Sequence, residues 1–101
     1  MSILCEVIVK QLIPAVRVRV AKELYDKHNL NQKEIAKKLG LSQPAISKYL
    51  SGNYTEEIKK LEEDKIVKRI SDEIVKTVIK NDFKKSSFEK VIRKFCSKKL
   101  R

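Results

Sequence analysis

The chain is poor in the residues that break or bend a backbone, with two glycines and two prolines in 101 residues. That scarcity favours packed helices over sheet or disorder. It has a single histidine, and it contains no glycine-rich phosphate loop and no HExxH or GxSxG string. No catalytic constellation can be assembled from these residues, so no enzymatic activity and no cofactor are expected. The two cysteines, Cys5 and Cys96, stand near opposite ends of the sequence without CxxC spacing. A cysteine zinc site is therefore not expected, and two reduced thiols are, with a disulfide as the alternative. No apolar run reaches the ~18 residues a membrane span needs. The opening MSILCEVIVKQLIPAV lacks the order of charge, apolar core and small-residue cleavage site of a signal peptide. A soluble cytoplasmic protein is the expectation.

What the sequence has is apolar residues (42%) and charge (37%), in a length that suits one hydrophobic core. The formal net charge of +11 suits a polyanionic partner. That charge is unevenly placed. Residues 31–54 carry four basic groups and one acidic, and 81–101 carry eight and two, whereas 55–80 are balanced at seven and seven. Phosphate contact is thus expected of the middle and the C-terminal end, and packing or pairing of the segment between them.

Val9, Ile13, Val16, Val20 and Leu24 recur at helical spacing in the first segment. Pro14 predicts a short helix to about Gln11, a break, and a longer helix with the proline in its first turn; a continuous kinked helix is the alternative. Asn31 is a good N-cap for a helix over 32–39, ended by Gly40. Ser42 caps a second helix, which SGN at 51–53 closes. Thr55 with Glu56 and Glu57 starts a long fourth helix, its stripe running Ile58, Leu61, Ile66, Ile70, Ile74 and Val78. SSFE at 86–89 offers a capping box for a last helix with Phe88, Val91, Ile92 and Phe95 on one face. Arg17 and Arg19, and the run Glu62, Glu63 and Asp64, are expected in solvent.

The pair of short helices, QKEIAKKLGLSQPAISKYLSG, sorts into two faces. Ile35, Ala36, Leu39, Ile46, Tyr49 and Leu50 point inward, Ala36 being small enough for a close helix crossing and Leu41 filling the corner. Outward on the second helix lie Gln43, Pro44, Ala45, Ser47 and Lys48, after the capping Ser42. A solvated helix more often shows glutamate and lysine. Glutamine can instead pair with adenine N6 and N7, lysine with guanine O6 and N7, serine with several base edges, and Ala45 can touch a thymine methyl. Lys37 and Lys38 divide evenly between phosphate contact and a plain solvated face.

These twenty-one residues resemble the helix-turn-helix of phage-repressor and Xre-like regulators, on Gln32, Ile35-Ala36, Leu39-Gly40-Leu41, Ser42, Ile46 and Leu50. The preceding CEVIVKQLIPAVRVRVAKELYDKHNL resembles the opening of a group of archaeal predicted regulators, some fused to a thiamine-phosphate-synthase-like domain. A chain of 101 residues is not expected to hold that domain, so no ligand sensing carries over and any small-molecule effector stays unassigned. The resemblance implies an all-α fold, a repressor-like core with a C-terminal helical extension. It places the second helix in the major groove of double-stranded DNA, with Gln43, Ser47 and Lys48 at base edges, Pro44 and Ala45 in van der Waals contact, and Ser42 and Gln32 on phosphate, Gln32 also buttressing Gln43. The recognition helix has no arginine, which argues against strong G·C reading. Residues 1–54 are expected to form the DNA-binding part and 55–101 a homodimer interface with a basic tail. A monomer folding its fourth helix back onto its first is the alternative. A basic RNA- or nucleoid-associated protein, binding by charge alone, is the alternative function.

Overall fold

The computed structural model describes residues 3–80 and Lys90, with side chains from Leu12 onward. Five helices are formed among them: α1 (Ile3–Asp26), α2 (Gln32–Leu39), α3 (Gln43–Ser51), α4 (Glu56–Glu62) and α5 (Lys65–Ile79). The all-α architecture follows the sequence. The proposed final helix at 86–95, the basic tail, Cys96 and the side chain of Cys5 lie outside the described residues.

α1 is one helix through Pro14, so the expected break before it does not occur. Proline inside a helix costs about 3 kcal/mol through a lost hydrogen bond and a steric clash. Immediately after it, Ala15, Val16, Val18, Val20, Ala21 and Leu24 are all fully buried. Full burial of each valine or leucine returns roughly 1.5–3 kcal/mol, which outweighs the proline's cost. α1 is the central strut: α2, α3, α4 and α5 all pack against it. Its end is closed by Asn29 in the left-handed region (φ 56°), from which the Leu30 N–H donates to the Leu24 carbonyl at 3.1 Å. Asparagine tolerates that conformation better than most residues.

The long fourth helix of the sequence reading is two helices. α4 ends at Glu62, and Asp64 leaves helical geometry (ψ 139°), its Oδ1 accepting from the Ile66 N–H at 2.7 Å to cap α5. The stripe itself marks the break, because Leu61 to Ile66 is a five-residue step that no single helix face makes. Turning at Asp64 lets Val67, Ile70, Ile74, Val75 and Val78 join Val16, Val20, Leu24, Ile35 and Ile46 in one core. The Ile70–Val78 part of the stripe is therefore turned onto the chain's own α1.

Candidate nucleic-acid interface

The two short helices are pinned at every end. Asn31 and Glu34 form a reciprocal capping box, the Glu34 N–H donating to the Asn31 side chain at 2.8 Å and the Asn31 N–H to Glu34 at 3.2 Å. At the other end of α2, Gly40 (φ 68°) lets both its own N–H and that of Leu41 reach the Ala36 carbonyl. α3 closes the same way: Gly52 (φ 79°) is followed by Asn53, whose N–H donates to the Lys48 carbonyl at 3.1 Å. Both are glycine-closed helix ends that satisfy otherwise free carbonyls. The Ser42 hydroxyl accepts from the Ala45 N–H at 3.3 Å, and Pro44 sits in the first turn, where its missing N–H costs nothing.

Ile35 and Ala36 of α2 and Ile46 of α3 are buried, and Leu41, Tyr49 and Leu50 pack against them. With Ile46 fixed inward, the helical repeat turns residues 44, 47 and 48 away from it, and Gln43 stands at the open N-terminal end of the helix. Gln43, Pro44, Ser47 and Lys48 are exposed there, Ala45 is half-buried, and Ser42 is exposed at the cap. α3 has no acidic residue in its first turn and one cation, Lys48, in its last. Gln32 is exposed at the first position of α2, beside a shallow hollow shared with Lys22, Tyr25, Asp26 and Leu50. No hydrogen bond joins Gln32 to Gln43 among the described residues. Lys37 and Lys38 are exposed in the last turn of α2, where their charge also suits the helix dipole.

Beside this face lies a cluster around Glu62, a residue expected in solvent. Glu62 is buried, not a surface charge. Its Oε1 lies 2.6 Å from Lys22 Nζ, and its Oε2 accepts from the Tyr54 hydroxyl at 2.5 Å. Lys22 also donates to that hydroxyl at 2.7 Å, closing a triangle. Arg19, also expected in solvent, donates to the Glu62 carbonyl at 3.1 Å. Burial penalises the charge on Lys22, but hydrogen bonds to Glu62 and Tyr54 and the negative charge of Glu62 outweigh it and hold the lysine above its ordinary pKa. Burial and the hydrogen bond to Glu62 likewise raise the Tyr54 phenol. The triangle ties α1 to the segment leaving α3 and to the end of α4. Nothing local in the sequence announces it, because its members come from three separate segments.

A helix-turn-helix family model matches residues 22–64, from Lys22 through α2, α3 and α4 to Asp64. The matched span thus includes both short helices and all three members of the triangle. No curated protein and no solved structure matches significantly. Residues 22–64 are thus similar to a helix-turn-helix family.

Proposed function

We propose that the chain is a transcriptional regulator that reads a specific double-stranded DNA sequence with α3 in the major groove and binds as a homodimer. One observation carries this reading. The outward face of α3 offers Gln43, Ser47 and Lys48 in exposed positions with no acidic neighbour on the helix, while both helix ends are locked by caps. Fixed backbone geometry is what base-edge contacts need, since a hydrogen bond to a base tolerates little displacement. Gln43 and Ser47, one turn apart, and Lys48 beside them take the base edges. Pro44 and Ala45 supply apolar contact. Ser42, Gln32, Lys37 and Lys38 surround the reading face and take phosphates.

Selection of bound duplexes from a random pool tests this. A recurring sequence in two related half-sites supports the reading, and a bound pool indistinguishable from the input overturns it. The large positive charge favours a second reading, a nucleic-acid-coating protein without base preference. That protein would return the unselected pool.

A further inference from the structure

The stripe that would have served most simply for pairing is consumed inside the chain, whereas α4 keeps an apolar edge that packs against the core and is still partly accessible. Ile58 and Leu61 are only partly buried there and, with Pro14 of α1, line a hollow edged by Glu57 and Lys60. A neighbouring hollow shares Pro14 and Ile58 and runs on to Ala45 and Lys48 of the reading helix. Residues 57, 58, 60 and 61 occupy one face of a helix. Glu57 and Lys60 are exposed, and neither has an ion-pair partner among the described residues. The other acid–base pair of α4, Glu56 and Lys59, is already joined within the helix at 3.5 Å.

We propose that this face is where a second copy of the chain docks, α4 lying antiparallel to its partner across a two-fold axis. In an antiparallel pair the same edge of each helix meets, running in opposite directions. Glu57 of one copy then faces Lys60 of the other, twice over, along one edge of the contact, with Ile58 and Leu61 along the other. A face bearing acid at one end and base at the other is self-complementary under that symmetry and no other residue is needed to close it. α4 follows α3 and is held to α1 by the Lys22–Tyr54–Glu62 triangle. Pairing through α4 therefore fixes the separation of the two reading helices, the quantity that half-site spacing reports. The inference rests on the homodimer reading above and names its surface.

Sedimentation equilibrium of the full chain without DNA tests it, comparing wild type, Glu57→Lys, Lys60→Glu and an equimolar mixture of the two variants. Each single variant brings like charges together at both contacts and weakens association about tenfold or more. In the mixture, the lysine at 57 of one chain meets the glutamate at 60 of the other, and the remaining contact is native. Association there returns to near the wild-type constant, which an effect confined to one helix cannot produce. Circular dichroism confirms that each variant is folded, and the doubly reversed chain, which restores both contacts, serves if a single variant is not. A wild-type monomer at all concentrations overturns the pairing and leaves base reading to its own test. A wild-type dimer unaffected by either reversal, or a mixture as weak as its components, overturns the α4 face alone.

Discussion

Lys22 of α1 and Glu62 at the end of α4 lie 2.6 Å apart, forty residues distant in sequence, with the Tyr54 hydroxyl bonded to both. The pair fixes the position from which the chain leaves the reading helix. Lys22→Met keeps the stem but leaves a largely buried carboxylate with one fewer donor. Urea denaturation is expected to show a loss of about 1–3 kcal/mol. Tyr54→Phe, which leaves Lys22 on Glu62, should cost less.

The same triangle sets an alkaline limit. Lys22 and Tyr54 both hold their protons more tightly folded than their ordinary pKa values allow. Above about pH 10 the folded chain therefore binds more protons than the unfolded one, and stability falls as pH rises. Thermal melts between pH 9 and about pH 11.5 should show this fall in wild type and a shallower one in a Lys22→Met, Tyr54→Phe double variant.

Glu23 gives the opposite end of the scale. Burial, a hydrogen bond to Asp72 of α5 and the charge of Asp72 raise its pKa, only partly opposed by Lys27 and Arg19. A carboxyl raised on folding stabilises fully below its unfolded pKa, and that contribution is lost as pH rises through the folded value. Glu23→Gln should accordingly melt higher than wild type at pH 7, and the advantage should shrink as pH falls toward about 4. An equal difference at all pH values would contradict it.

Gly40 and Gly52 both require positive φ, and a Cβ at Gly52 would meet nothing within 4 Å. Gly52→Ala thus tests backbone strain without steric contact. A loss of about 1–2 kcal/mol is expected, and Gly52→Asn should recover part of it.

Much of the reading element was legible because its determinants are local. Asn31, Glu34, Gly40, Ser42 and Gly52 act within a few residues of where they stand, and Ile35, Ala36, Leu39 and Ile46 declare their face by spacing alone. Most of the misreadings involve partners far along the chain. Pro14 stays helical because the apolar residues after it, from Ala15 to Leu24, are fully buried, and what buries them includes α4 and α5, far along the chain. Glu62 looks like surface charge in the run Glu62-Glu63-Asp64 until Lys22 and Tyr54 arrive beside it. The division of α4 from α5 was the exception. Its sign, the five-residue step between Leu61 and Ile66, is local, and it is outweighed in a sequence reading only by the regular stripe on either side.

The central claim is that α3 reads bases and that charge alone does not account for binding. Its most direct test is competition between a selected duplex and a scrambled one of equal length across a salt series, for wild type, Gln43→Ala and Lys37→Ala. Both duplexes should lose affinity with salt, log K falling by roughly 0.9 per log unit for each neutralised phosphate. The account predicts that wild type prefers the selected duplex at every salt concentration. Gln43→Ala should narrow that preference at one base position by about 1–3 kcal/mol, while Lys37→Ala weakens both duplexes alike. Equal affinity of wild type for the two duplexes, or the same sequence-independent loss from both substitutions, would contradict it.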